Sequence, residues 1–166
     1  TGKYLLFLNN DTEPHAGWLE EMLTVAESNS KIGIVGSKLL FPDGTIQHAG
    51  VCLPPIHLHR GLPGDFIPAN KSRDFQIVTG ACMPSEKTYF SKIQGFDEQF
   101  VNGCEDVDLC LKARKAGARV FYTSRSVLTH HEGKSEGRED KMDYNMEYLN
   151  KKWKDEQLVL EFQSLP

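Results

Sequence analysis

The chain has 166 residues, 39% of them hydrophobic and 25% charged. That is the composition of one globular domain, and it excludes a disordered chain. Its 19 Lys and Arg against 23 Asp and Glu leave a net charge of −4, without the basic stripe of a nucleic-acid-binding surface. The longest early apolar run, Tyr4-Leu5-Leu6-Phe7-Leu8, has strand length, far short of the roughly 20 residues of a transmembrane helix. With no transmembrane segment and no signal-peptide layout, the expected location is the cytoplasm, within reach of the inner face of the membrane. The start, Thr1-Gly2-Lys3, has no initiator Met, and the expectation is a chain that begins inside a longer protein. Cys52, Cys82, Cys104 and Cys110 make no C-x-x-C pair and are read as reduced thiols rather than zinc ligands.

In chain order, the run 4–8 is bounded by polar residues and predicts a strand buried on both faces. It stops at Asn9-Asn10-Asp11-Thr12-Glu13-Pro14. Trp18, Leu19, Met22, Leu23 and Ala26 then recur at helical spacing with Glu20, Glu21 and Glu27 opposite, an amphipathic helix of about four turns. Residues 32–35 read as a second buried strand. Leu39-Leu40-Phe41 leads into Pro42-Asp43-Gly44, a turn signal, after which residues 46–51 can pair back as a hairpin. Residues 54–70 are rich in Pro, Gly and His and lack periodicity, as a long binding or lid loop does. Residues 76–79 predict a strand ending at Gly80, residues 85–93 a short helix, and residues 95–98 a turn. Residues 105–116 form the clearest later helix, acidic at its start, basic at its end and followed by Gly117. Short strands are expected over 119–122 and 126–128, then a loop over 130–138. Met142, Met146, Leu149 and Trp153 mark a final amphipathic helix.

Strands interleaved with helices argue α/β, and in open α/β sheets ligands bind beyond the carboxyl ends of strands. That rule points at residues 9–13, where the oxygens of Asn9, Asn10 and Asp11 suit a hard divalent cation; the plain alternative is a turn that caps the next helix. A second group, Glu105-Asp106-Val107-Asp108, has more carboxylates than helix capping needs and could supply a general base. A third, His130-His131, follows the expected strand over 126–128; adjacent histidines on a strand would face opposite ways, so that one could meet a metal and the other not. Thr79-Gly80-Ala81 is a small-residue turn that lets a ligand approach the backbone, or is simply tight. His48, His57 and His59 are read as loop residues without chemistry, and Cys82 as a buried inert thiol.

Taken together and in order, these stretches resemble the inverting family 2 glycosyltransferases of the GT-A fold. The segments that carry the resemblance are 4–12, 39–50 (Leu-Leu-Phe-Pro-Asp-Gly-Thr-Ile-Gln-His-Ala-Gly), 79–83, and Gly95-Phe96-Asp97-Glu98 leading to Glu105–Cys110, with residues 130–135 as a fifth. The resemblance implies a mixed, mainly parallel central sheet flanked by helices. Residues 1–135 would form the metal-, donor- and acceptor-binding part, and residues 136–166 a C-terminal helix and tail. It implies that Asp11 and His130 (with His131 second) hold Mg²⁺ or Mn²⁺, and that Asn9, Asn10, Asp11, Thr79, Gly80 and Ala81 contact the nucleotide-sugar donor. Asp106, with Glu105 beside it, would be the catalytic base for a glycan, lipid-linked or protein acceptor. Asn9 stands where that family usually has a carboxylate. The family's nucleotide-binding N-terminal strands have no counterpart before Tyr4, so the expectation is an N-terminally truncated domain whose exposed sheet edge favours self-association. Two other readings stay open: a metal-dependent phosphoryl-transfer or hydrolase domain, and a non-catalytic sugar-binding module of the same fold.

Overall fold

The structure, a computed structural model, describes residues 2–53, 55–131, 141–154 and 156. Its strands are β1 (Tyr4–Leu8), β2 (Thr12–Pro14), β3 (Ile32–Leu40), β4 (Ile46–His48), β5 (Val51–Cys52), β6 (Ile56–His57), β7 (Arg73–Asp74), β8 (Cys82–Glu86) and β9 (Arg119–His130). The helices are α1 (Trp18–Ser28), α2 (Lys87–Lys92), α3 (Glu105–Lys115) and α4 (Met142–Trp153). The main sheet runs β1-β8-β3-β9-β2, with β4 on β3 and β7 on β9. The sheet is mixed, as expected, but its longest ladder is parallel while the other pairings among the described residues are antiparallel. That parallel ladder, β3 with β9, runs from Ile32–Arg119 to Leu40–Thr129. Since β8 is antiparallel to both β1 and β3, the strands β1, β3 and β9 share a direction and end on the same side.

Alternation along the central strands builds two apolar layers. Val35, Leu39, Cys82 and Leu128 pack on Met22 and Trp18 of α1. The adjacent Ile34 and Met83 face the larger cluster, which also holds Val120 of β9, Val107 and Leu111 of α3, and Leu149 and Trp153 of α4. The period of two in strands sends adjacent residues to opposite layers.

Several elements differ from the sequence expectation. Among the described residues β1 is an edge strand paired with β8 alone, and Leu6 and Leu8 are 37% and 42% exposed, so it is not buried on both faces. The second strand runs on to Leu40, because its small and polar centre is accommodated. A Cβ on Gly36 would lie 2.4 Å from Val78 Cβ. Ser37 Oγ shares a 2.8 Å hydrogen bond with Ser126 Oγ. Lys38 Nζ donates to the carbonyl of Gly64 and to Asn70 Oδ1. The expected strand over 76–79 is not regular: Ile77 makes only an isolated bridge to Val51, and the strand lies after the turn, in β8. The two short strands over 119–128 are one, β9, with a bulge where Ser37 pairs Thr123 but Lys38 pairs Val127. Most of the expected loop over 130–138, and the tail from Leu158, fall outside the described residues.

The acidic start of α3 is split in role. Asp108 is fully buried: its Oδ1 accepts from Trp153 Nε1 at 2.9 Å and pairs with Lys152 at 2.8 Å, and its Oδ2 pairs with Lys112 at 3.2 Å. Lys152 also reaches Asp97 in the 95–98 turn. Burial pulls the Lys152 ammonium down, but hydrogen bonds to Asp108 and Asp97 outweigh it and hold the pKa above its ordinary value. This clamp docks α4 on α3. Removing one partner from a buried ion pair typically costs about 3–5 kcal/mol. Asp108→Asn is therefore expected to lower the urea-unfolding free energy by about 3 kcal/mol, and Trp153→Phe, which loses a hydrogen bond to a charged group and part of a buried ring, by about 2 kcal/mol.

Candidate functional site

The site lies at the common end of β1, β3 and β9. Leaving β1, the chain turns through Asn9, Asn10 and Asp11 and enters β2, which pairs with the end of β9, Thr12 opposite His130. The turn is fixed at several points. Asn9 N–H donates to Ala81 O at 2.9 Å, Thr12 Oγ1 to Asn9 O at 2.7 Å, and His131 N–H to Asp11 O at 2.9 Å. Asn9 and Asn10 are exposed.

His130 and His131 do face opposite ways, as adjacent strand residues must. His131 is part-exposed and its Nε2 meets Glu13 Oε1 at 2.9 Å. His130 is 4% exposed. Its Nε2 lies 3.0 Å from Asp11 Oδ1 and 3.3 Å from Asn9 Nδ2, and its Nδ1 lies 2.6 Å from Gln47 Oε1.

Asp106 stands at the first turn of α3. Its Oδ2 accepts from Gly80 N–H and its Oδ1 from Val107 N–H, each at 2.8 Å. A Cβ on Gly80 would come within 3.1 Å of Asp106 Cβ, so the bare backbone of the small-residue turn is what admits this contact. Each carboxylate oxygen retains a second acceptor position for another donor. Hydrogen bonds and the backbone between them link Asp106 to Gly80, Ala81 to Asn9, and Asn9 to His130, whose Nε2 lies 3.0 Å from Asp11 Oδ1. The three side chains singled out in the sequence thus sit on one connected rim. Thr79 joins it locally, its Oγ1 accepting from Ala81 N–H at 3.4 Å. Glu105 is half-buried at the start of α3.

The donor set fits a hard divalent cation in one specific way. Two ligands on adjacent octahedral positions around Mg²⁺ or Mn²⁺ are about 3 Å apart, and Asp11 Oδ1 and His130 Nε2 are separated by 3.0 Å. Among the described residues no group of three or more His, Cys, Asp or Glu gathers to hold an ion. The side chains therefore offer two ligands, as at sites that share the cation with a substrate's phosphates.

Comparison with known proteins agrees with this architecture. No family model matches the chain. It is similar to the uncharacterized protein y4gI of Sinorhizobium fredii, 34% identical over 92% of this chain and 18% of that protein. It is also similar to the O-antigen biosynthesis protein RfbC of Myxococcus xanthus, 39% identical over 81% of this chain and 11% of that protein. A third relative is the N-acetylglucosaminyl-diphospho-decaprenol L-rhamnosyltransferase of Mycobacterium tuberculosis, 26% identical over 82% of this chain and 49% of that protein. The chain thus spans 18% and 11% of the first two relatives' length. Among solved structures it resembles GalNAc-T7, crystallised with UDP, GalNAc and Mn²⁺, with a TM-score of 0.59 at 14% identity over 78% of this chain and 28% of that one. The fold is therefore a mixed α/β sheet flanked by helices, of the GT-A glycosyltransferase type.

His48, read from the sequence as a loop residue, lies behind the rim in a buried strand, β4, the expected hairpin partner after the Pro-Asp-Gly turn. β4 pairs with β3, and Ile46 is held again from the 59–62 segment by Leu62 O and Gly61 N–H. His48 is fully buried. Its Nε2 faces the N–H groups of Gly50 and Thr79, and its Nδ1 meets His57 Nδ1 at 3.2 Å. The apolar-polar alternation of Ile46-Gln47-His48 after a Pro-Asp-Gly turn was the available signal. Burial pulls the pKa of His48 well below 6.5, with His57 and Arg60 adding to the effect. A depressed histidine pKa gives stability that is present above the unfolded value and lost as pH falls below it. Stability toward urea is thus expected to fall as pH drops below 6.5. His48→Asn should flatten that decline by up to about 1.4 kcal/mol per pH unit, one proton's worth.

Proposed function

We propose that this chain transfers a sugar from a nucleotide-diphosphate sugar to an acceptor hydroxyl with inversion, assisted by Mg²⁺ or Mn²⁺. The observation that carries the reading is the 3.0 Å approach of Asp11 Oδ1 to His130 Nε2 on the same rim as Asp106. Support comes also from the relatives, one named for O-antigen biosynthesis and another for rhamnosyl transfer, and from a fold neighbour crystallised with UDP, GalNAc and Mn²⁺. They favour a glycan or lipid-linked acceptor in envelope polysaccharide synthesis.

In this reading Asp11 and His130 hold the cation, and Asn9 and Asn10 line the donor side of the turn. A bound Mg²⁺ or Mn²⁺ supplies positive charge for the departing diphosphate. Asp106 accepts the proton of the acceptor hydroxyl. The acceptor oxygen forms its bond to the anomeric carbon on the face opposite the diphosphate, whose bond to that carbon breaks, and the configuration inverts. The backbone donors on Asp106 fix the direction of its carboxylate. Gly80 leaves the sugar room to approach that carboxylate. Glu105, one residue before it, adds negative charge at the same helix start.

A general base typically contributes about 10²–10⁴-fold. Asp106→Asn is expected to cut transfer by about that factor while leaving Mn²⁺-dependent donor binding within a factor of about two. Asp11→Ala is expected to abolish Mn²⁺-dependent donor binding by calorimetry. Nucleotide sugars and phosphoesters offered in parallel separate transferase from hydrolase chemistry: sugar consumption supports the reading, and phosphoester consumption alone rejects it.

A further inference from the structure

We infer that Gln47 is a positioning residue that fixes the tautomer of His130, so that the Nε2 lone pair faces Asp11. The inference rests on the cation-site reading above and goes one layer beyond it. Gln47 is 3% exposed and His130 is 4% exposed, so water does not freely replace their mutual contacts. Two contacts join them. Gln47 Nε2 donates to the backbone carbonyl of His130 at 3.3 Å, and Gln47 Oε1 meets His130 Nδ1 at 2.6 Å. The first decides the second. A carbonyl oxygen only accepts, so the amide group must turn its NH₂ toward His130 O, which leaves Oε1 toward Nδ1. Oε1 also only accepts, so Nδ1 must carry the proton, and in the neutral ring Nε2 is then the unprotonated nitrogen.

That nitrogen is the one 3.0 Å from Asp11 Oδ1. A ring protonated on both nitrogens would pair with Asp11 across this distance; the neutral ring, with its proton kept on Nδ1, instead presents two electron-rich atoms to one point, an arrangement a shared cation relieves. With the opposite tautomer, Nε2–H would donate to Asp11 and occupy the position a cation needs. Gln47 is itself held firmly. It is the middle residue of β4, whose flanking residues pair with β3, and its carbonyl accepts from Arg60 at 3.3 Å. Hydrogen-bond partners behind a metal-bound histidine set its orientation, and losing one typically costs about 10–100-fold in metal affinity.

The test compares the unaltered chain with Gln47→Leu and Gln47→Glu. ¹⁵N NMR of the metal-free chain, at alkaline pH where the ring is neutral, reads which nitrogen of His130 carries the proton. Mn²⁺ alone, titrated by electron paramagnetic resonance, reads affinity. The expected result is Nδ1–H in the unaltered chain, a switch to Nε2–H in Gln47→Leu with Mn²⁺ binding weakened about 10–100-fold, and return toward the original tautomer and affinity in Gln47→Glu, which keeps the acceptor. An unaltered chain with Nε2–H, or a Gln47→Leu chain with unchanged tautomer, overturns the inference. Should Gln47→Leu fail to fold, the unaltered chain and Gln47→Glu still decide it by their tautomers. Absence of Mn²⁺ binding by the unaltered chain rejects the cation-site reading; a tautomer that still follows Gln47 then supports the Gln47 assignment on its own, and one that does not overturns it.

Discussion

The parallel ladder between β3 and β9 is the constraint on which the rest of the molecule depends. It brings Leu40 and Thr129 into register, and so delivers two chain exits to one place. From Leu40 the chain turns at Asp43-Gly44 into β4, which carries Gln47 and His48. From Thr129 it reaches His130. On the outer edge of β9, β2 pairs Thr12 with His130 and brings Asp11 alongside. A one-residue slip would reverse every side chain on β9, send His130 outward with His131's present partners, and leave Gln47 with nothing to hold. Register here is set by burial: Val120 and Tyr122 are fully covered in one apolar layer and, beyond the bulge, Leu128 in the other, so slippage would displace them.

The same ladder has an unusually polar interior, and each polar group in it has a partner. Ser37 with Ser126, Lys38 with Gly64 and Asn70, Tyr122 with Ala69, and Thr123 with Glu21 are all bonded. Buried polar groups are costly when unpaired and directional when paired. The bulge between Thr123 and Val127 is what lets the polar stretch of β9 turn toward these partners before the strand resumes. The polar network therefore serves geometry: it fixes where β9 ends, and with it where His130 sits, more sharply than apolar contacts of the same area could.

The elements with a strong period were legible. Trp18–Ser28, Glu105–Lys115 and Met142–Trp153 are helices because spacing, charge placement and end signals agree. The opposed directions of His130 and His131 followed from strand alternation alone. What was not legible depended on partners distant in sequence. Ile77 and Val78 look like strand residues, yet only the isolated bridge to Val51 joins Ile77 to a strand. Tyr4–Leu8 reads as a covered strand, but coverage is a property of neighbours, and among the described residues one edge of β1 is unpaired. His48 looked like a loop residue because its partners, Gly50 apart, are the backbone at Thr79 and the ring of His57. Asp108 looked equivalent to Asp106 and is instead absorbed by Lys112, Lys152 and Trp153. Local sequence names the chemistry of a carboxylate; only tertiary contact decides whether it is spent on structure.

One consequence follows from the charge at the rim. Asn9 contributes an amide where a second carboxylate would carry charge, so the proposed cation site holds one negative charge, on Asp11, and a neutral imidazole. A divalent ion there keeps a net positive charge of one. In a half-buried setting that residual charge is poorly screened, and a diphosphate is the ligand best able to complete it. The side chains alone would hold the ion weakly, and the donor's diphosphate would tighten that hold. A second carboxylate would retain the ion more tightly and leave less charge for the leaving group. On this argument Asn9 shifts the cation's attraction from the protein to the substrate, where transition-state charge develops.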